Sequence, residues 1–599
     1  MSSRSRERVF QILLLLIPVL LLAVVEIGLR LGGFASERRA AFKPIDNEPG
    51  WVGFNPEYSS RYFRGFLPAL AFNPFREDRV AGSVRIVALG GSSTAGFPYQ
   101  WYHGFPAALE RHLMDAYPDR PVEVINLGMT AVNSYTLQDL TRHVVDMNPD
   151  LVVIYAGHNE FYGALGAGTT PGFLPKGAWF GRTWLMMKRS ALVMALEQLL
   201  VGPPDYGLDA VSNERTLMAR VVQNATIEQG GQLYQQGIEQ FRSNMEIVLD
   251  RFESAGIPVV AGTLVSNLAD QHPLSRTTDA EQAFEQGKRL LEAGQRVEAT
   301  RAFEQARDLD QIRFRASGDI NGVIRSWNGR RGLTLVDLEP AFQAASPAGI
   351  PGYDLFTDHL HPTQQGYELM GRTFLPAVLD ILSEAVSPPQ SDQLDWESIS
   401  LLDEFSASHA DVLIDRLLSD YPFNLEAAPD STSAAYGRQL MARRASGRLG
   451  DSLAVAVMTA GVPHQRALYD GAQLEMASGD TLSALTYYHS LFYWQPFNDA
   501  LMEEVIGSVL ASGTWDGLLE KLALVAAARS DRSYFWNALA VTQIRQEHWN
   551  EAAAALAQAE RLEPNSATML YNRARLELAR GDSARARATL QQYRRITSN

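Results

Sequence analysis

The stretch RIVALGGSSTAGFP, residues 85–98, decides how the rest of the chain is read. A run of β-branched and apolar residues gives way to two glycines, two serines and a threonine. A buried strand that stops at a tight glycine turn and runs into a helix is the β–α junction of a parallel sheet. The same signature recurs outward from it. VRIVALG (84–90), VEVINLG (122–128), DLVVIYAG (150–157), IPVVAGTL (257–264) and GLTLVDL (332–338) read as buried strands. FPAALERHLMDAYP and SYTLQDLTRHVVDMNP, between the first three, carry helical spacing. The pattern predicts an α/β domain over 82–386, a parallel sheet with helices on both faces. Ligands of such sheets bind beyond the carboxyl ends of the strands, where the glycine turns after residues 89, 127 and 156 fall.

With 599 residues the chain is too long for one core, and more than one domain is expected. The formal charge of -15 and the lack of a long basic run exclude a general nucleic-acid binder. The absence of cysteine excludes disulfides, thiolate catalysis and cysteine zinc sites. Residues 9–29, VFQILLLLIPVLLLAVVEIGL, are apolar except for Gln11 and Glu26, long enough to cross a hydrocarbon core of roughly 30 Å. The segment AVVEIGLRL at its end offers no small-x-small cleavage site, which favours an uncleaved transmembrane anchor over a signal peptide. Arg4, Arg6 and Arg8 before the span nearly balance Arg30, Arg38, Arg39 and Lys43 after it. Single N-terminal anchors usually export the chain on their C-terminal side, so residues 1–8 are expected in the cytoplasm and the remainder outside it. Residues 30–81 read as an irregular, ordered approach segment whose aromatics pack on the next domain. Residues 164–230 read as an irregular, then helical, insertion, and SPPQSDQLD (387–395) as a linker.

A second pattern lies in 279–311 and again in 395–599. Gly287, Ala299, Phe303 and Ala306 fall at the small and aromatic positions of a helix–turn–helix repeat. Ala472, Gly479, Ala484, Tyr488 and Pro496 repeat it, as do Trp536, Leu539, Ala540, Ala552, Ala559 and Pro564, then Ala574, Gly581 and Ala586. Small residues let two helices approach and proline ends the second. These copies resemble the tetratricopeptide repeat; a plain antiparallel bundle is the alternative. The resemblance implies a concave surface for a protein or peptide partner.

Four segments carry the chemistry. In GGSSTAG a serine directly after the strand turn exposes its hydroxyl at a helix start, where developing negative charge is favoured, although ordinary N-caps look the same. In NLGMTAVNS, Gly128 can present a bare backbone N–H at the sheet edge. In YAGHNEFYG, Asn159 can donate from its amide. With the serine N–H these make an oxyanion hole. In DHLHPTQQGYELMG, His361 can serve as base for the serine, and Asp358 three residues earlier can orient its imidazole. Asp358 cannot orient His359 as well. A metal site at His158 and His359 lacks any supporting motif, and no cofactor is expected.

This ordered set resembles the SGNH (GDSL-type) hydrolases. The resemblance covers 84–164 and 250–385, with Gly90-Gly91-Ser92-Ser93-Thr94 as the first block, Gly128 as the second, Gly157-His158-Asn159-Glu160 as the third and Asp358 with His361 as the last. It implies a flavodoxin-like α/β/α fold, acyl-ester chemistry, Ser92 rather than Ser93 as nucleophile, Asp358 and His361 as its partners, and Ser92, Gly128 and Asn159 as oxyanion donors. Gly91 replaces the usual acid and Glu160 the usual Asp, neither of which carries a catalytic role. The expectation is a membrane-anchored serine esterase with an acyl-ester substrate, an acylated glycan or a lipid. An O-acyltransferase acting on envelope glycans through the same residues is the alternative, and a non-catalytic repeat-based binding scaffold the rival from another class.

Overall fold

The computed structural model describes residues 3–63, 67–117, 120–169, 178–202, 216, 218, 226–383, 401–424, 429–512, 517–530 and 532–598. Helix α1 (Ser3–Leu31) contains the expected span. The side chains of residues 1–15 lie outside the described residues, and among the described residues no helix is long and apolar enough to cross a membrane. From residue 16 onward α1 presents its apolar side chains outward, from Leu16 to Leu31.

The segment 30–81 is more regular than its sequence suggests. It forms an antiparallel sheet, β1 (Phe42–Ile45), β2 (Glu48–Phe54) and β3 (Phe75–Arg76), in that order. Glycine, proline and aromatic residues masked the period-2 alternation by which a strand is recognised. Its aromatics do pack on the next domain. Tyr58 and Tyr62 donate to Asp139 Oδ2 at 2.9 and 3.0 Å, and Arg61 lies 3.2 Å from the same oxygen.

The α/β domain follows the expected alternation. Strands β4 (Val84–Gly90), β5 (Val122–Asn126), β6 (Leu151–Tyr155), β7 (Val259–Gly262) and β8 (Leu333–Val336) form one parallel sheet, ordered β5-β4-β6-β7-β8. This is the flavodoxin-like 2-1-3-4-5 order, whose topological switch lies between β4 and β6. Every residue of β4 and of β6 is buried, which explains their unbroken apolar runs. After β4 comes α2 (Ser92–Ala95), then α3 (Phe105–Ala116) and α4 (Ser134–Asp146). The 164–230 insertion contains α5 (Ala178–Met187) and α6 (Ala191–Val201). It is followed by α7 (Gln232–Ser254), the pair α8 (Thr278–Glu292) and α9 (Arg296–Leu309), α10 (Gly318–Arg325), α11 (Leu338–Ala345) and α12 (Gln364–Ser383). Helices α3 and α12 meet where Phe105 stacks on Phe374, their rings 5.3 Å apart. Helices α4 and α7 form another pair, held where Arg251 donates to the Gln138 carbonyl at 2.7 Å.

Helices α8 and α9 enclose a small core of their own, with Phe284, Ala299, Phe303 and Ala306 buried in it. The C-terminal region is all helical among the described residues, from Glu404–Leu418 to Ser583–Thr597. Ala472, Ala484, Trp536, Leu539, Ala540, Ala552, Ala559, Ala574 and Ala586 are buried, as their phase requires. The expected linker 387–395 lies outside the described residues. The helical region is docked on the α/β domain through a buried polar and aromatic seam. Trp494 packs on Trp101 with centroids 4.4 Å apart, Asp403 lies 3.7 Å from His103 Nε2, and Arg529 pairs with Glu110 at 2.6 Å. Removing one partner of a buried pair leaves a desolvated charge. Arg529→Ala is therefore expected to lower stability by roughly 3 kcal/mol, read as a fall in the denaturation midpoint of the full chain; an unchanged midpoint contradicts this docking.

Candidate active site

Strand β4 ends at Gly90, where the chain must pass close to β6. A Cβ on Gly90 would sit 2.1 Å from the Tyr155 carbonyl oxygen and 2.0 Å from Thr94 Oγ1. Glycine thus lets α2 fold back over the sheet edge, where Thr94 hydrogen-bonds the Tyr155 carbonyl at 3.1 Å. That turn separates the two serines. Ser93 is buried, and its hydroxyl has no partner among the described residues. Ser92 is half-buried at the first position of α2, with its hydroxyl 2.7 Å from His361 Nε2.

His361 and Asp358 lie on the loop between α11 and α12. His361 Nδ1 is 2.6 Å from Asp358 Oδ2, so the ring donates there and leaves Nε2 to accept from Ser92. The loop is closed on itself: Thr357 N and Oγ1 both bond the His361 carbonyl, at 2.8 and 3.0 Å. Phe97 packs on the imidazole with ring centroids 4.5 Å apart. Asp358 is fully buried, which by itself raises its pKa. The neighbouring His361 and His359 rings outweigh burial and hold it well below the usual carboxylate range. Its Oδ1 accepts the N–H groups of Leu360 and His361 at 2.9 and 2.8 Å. His359 Nδ1 comes within 3.2 Å of Oδ1 but makes no hydrogen bond, so Asp358 orients His361 and not His359.

Asn159, after β6, brings its amide nitrogen to the Ser92 turn: a Cβ on Gly91 would lie 3.2 Å from Asn159 Nδ2. Glycine in place of the usual acid keeps that space open. Gly128 is placed differently from the expectation. Its N–H donates to Asn126 Oδ1 at 2.8 Å, and a Cβ there would lie 2.3 Å from Ala95 N. Gly128 is needed for close packing against α2, and its N–H is already committed; neither is visible in a four-letter motif. The turn after Gly128 does reach the site, since Val132 lines the same cleft as Ser92, Asn159 and His158. His158 is a buried structural ring: Nδ1 accepts from Ala316 N at 3.1 Å, and burial pushes its pKa down to about 3. Asp358, His359 and His361 have atoms close enough together to hold a metal ion, but the Asp358 and His361 atoms are already bonded to each other and to the Ser92 hydroxyl.

Glu160 has a larger part than the sequence suggested. Fully buried, it accepts from Ser134 N (3.1 Å), Ser134 Oγ (2.7 Å) and Gln240 Nε2 (2.6 Å). It thereby ties the start of α4 and helix α7 to the residue next to Asn159. No spacing rule reveals this, because Gln240 is 80 residues away. Burial raises its pKa from 4.5 to about 7 despite these donors. The folded chain therefore holds a proton that the unfolded chain has released, and stability falls as pH rises from 4.5 through 7. Glu160→Gln should abolish that slope, worth at most about 3 kcal/mol, when unfolding midpoints of the two proteins are compared between pH 4 and pH 8; a slope kept by the variant contradicts the assignment.

Residues 88–369 match the family model described as GDSL-like Lipase/Acylhydrolase family. No curated protein matches the chain. Among solved structures, a putative lipolytic protein of the G-D-S-L family from Desulfitobacterium hafniense DCB-2 is 12% identical, covering 49% of this chain and 98% of its own, with TM-score 0.25. The acetyl xylan esterase AlAXEase is 14% identical over 49% of this chain and 100% of its own, with TM-score 0.27. A lipase/acylhydrolase from Enterococcus faecalis is 17% identical over 51% and 100%, with TM-score 0.27. The family match carries the conclusion: this chain contains a GDSL-like lipase/acylhydrolase domain and is an ester hydrolase.

Proposed function

We propose that the protein is a membrane-anchored serine esterase acting on short acyl esters, with Ser92 as nucleophile, His361 as base and Asp358 as the group that orients it. The observation that carries this reading is the unbroken chain of hydrogen bonds from Ser92 Oγ through His361 to Asp358. His361 Nε2 takes the Ser92 proton as Oγ attacks the ester carbonyl. The Ser92 N–H and the Asn159 amide are the donors nearest the oxyanion that forms. His361 then gives the proton to the departing alcohol oxygen, leaving an acyl-Ser92 ester. Water, deprotonated by the same nitrogen, attacks that ester and releases the acid and free Ser92. Asp358 stays ionised throughout and offsets the charge on the imidazolium.

The acyl preference rests on space. The cleft holding Ser92 and Asn159 has a free volume of about 10 Å³, the room of one water sphere. This small space beside Ser92 supports a short acyl group over a long alkyl chain. The run of residues 9–29, apolar except for Gln11 and Glu26, supports the anchor, with the catalytic and helical regions on the extracytoplasmic side. The buried alanines of the C-terminal helices support tetratricopeptide packing and a groove for a protein or peptide partner.

Ser92→Ala is expected to lower kcat on p-nitrophenyl acetate by at least about 10³-fold and to end labelling by a fluorophosphonate probe. Turnover within tenfold of the parent protein rejects Ser92 as nucleophile. On chain length, kcat/KM for the acetate ester should exceed that for the palmitate ester by at least about tenfold; the reverse order contradicts the small acyl space.

A further inference from the structure

Helices α5 and α6 turn their apolar faces the wrong way for a protein in water. Trp179, Met186 and Met187 of α5 and Leu196, Leu199 and Leu200 of α6 are exposed, with Trp179 at 75%, Leu199 at 81% and Leu200 at 79%. The three leucines recur at i, i+3 and i+4, one face of a helix. The opposite faces are satisfied: Gly181 and Leu185 of α5, and Ala191 and Met194 of α6, are buried against the protein. The acid within α6 is neutralised on the spot, Glu197 pairing with Lys188 at 3.0 Å.

The position of this face relative to α1 says what covers it. Glu26, the one acid in the apolar run of α1, caps the start of α6. Its carboxylate accepts Ala191 N at 3.1 Å, Leu192 N at 2.7 Å and Ser190 Oγ at 2.7 Å. Arg30, one turn further along α1, donates to the Arg189 carbonyl at 3.1 Å. Helix α6 therefore starts beside the last turns of α1, where an apolar span gives way to polar sequence. Both helices that meet at this junction carry exposed apolar side chains, including Leu21, Val24 and Ile27 on α1 and Leu196, Leu199 and Leu200 on α6. Helix α6, with one apolar face, starts at the end of the apolar span, and α5 just before it carries the exposed Trp179. Amphipathic helices and tryptophans so placed lie in the interface between headgroups and acyl chains.

We propose that α5 and α6 are an interfacial platform that rests in the same phospholipid bilayer that takes α1. This inference depends on the membrane anchor of the proposed function and adds a second, in-plane attachment to it. Two attachments remove the swivel that a single helix allows. Helix α5 in turn touches α4, where Gly181 lies against Tyr135, and α4 begins at Ser134, the residue bound to Glu160 beside the catalytic cleft. The platform thus sets the cleft at a constant height and angle above the lipid.

The absence of cysteine makes a clean test available. Single cysteines at Leu21, Leu200 and Val297, the last exposed on α9, are each labelled with an environment-sensitive fluorophore in the full-length protein. The protein is reconstituted in phosphatidylcholine–phosphatidylglycerol vesicles. Labels at Leu21→Cys and Leu200→Cys should lose quenching by aqueous iodide and gain quenching by spin-labelled lipid, while Val297→Cys should do the opposite. A Leu200 label quenched by iodide, with the Leu21 label in lipid, overturns the platform and leaves the anchor standing. A Leu200 label shielded from both quenchers means that protein covers the face and also overturns the platform. A Leu21 label quenched by iodide overturns both readings.

Discussion

The carboxylate of Asp358 is ionised and sealed from water, and the arrangement of this edge of the sheet stems from the need to satisfy it. A buried charge costs several kcal/mol unless donors surround it. Here the donors are two backbone N–H groups and the His361 ring, all from a loop of five residues. To supply them the loop folds tightly back, Phe356 bridging to Pro362, and Asn267 braces it from outside by donating to the Asp358 carbonyl. The outcome is an imidazole with one possible tautomer and one direction, its free nitrogen aimed at Ser92. The same geometry leaves His359 Nδ1 without a hydrogen bond to Asp358, although it is even closer in sequence.

The sheet brings that loop to its counterpart. Because β5 and β6 lie on opposite sides of β4, the chain separates at the β4–β6 boundary and leaves a crevice there. Ser92 comes after β4 and Asn159 after β6, so the crevice receives a serine hydroxyl from one strand and a side-chain amide from the next. The loop between α11 and α12, beyond β8, reaches the crevice from further along the sheet. Glu160 and Gly128 set how closely the parts meet: one by tying α4 and α7 to the Asn159 turn, the other by letting the second turn touch α2.

The helical region is part of this machinery in a physical sense. The segment that leaves α2 carries Phe97 onto the His361 ring, and Tyr367 fixes the Phe97 carbonyl at 2.5 Å. A few residues on, the same segment becomes the seam with the C-terminal helices through Trp101, Tyr102 and His103. From the opposite side Phe423 sets its ring 5.1 Å from that of His359. The helices thus meet the residues that flank the imidazole through packed side chains.

The amino-acid sequence by itself determined the alternation of buried strands and amphipathic helices, the parallel sheet and the candidacy of Ser92, His361 and Asp358. Each depends on local periodicity or on a motif a few residues long, and short-range sterics and hydrogen bonding act over that range. The phase of the small residues likewise located the helix pairs near the C-terminus. Only the tertiary structure decided the role of Gly128, whose N–H is taken by Asn126 and whose missing side chain makes room for α2. It alone gave Glu160 its partners, showed that residues 42–76 pair as a small sheet, and turned the apolar sides of α5 and α6 outward beside α1. The contacts of Gln240 with Glu160 and of α6 with Glu26 join residues tens to hundreds of positions apart, and a contact of that kind leaves no period or spacing in a single chain.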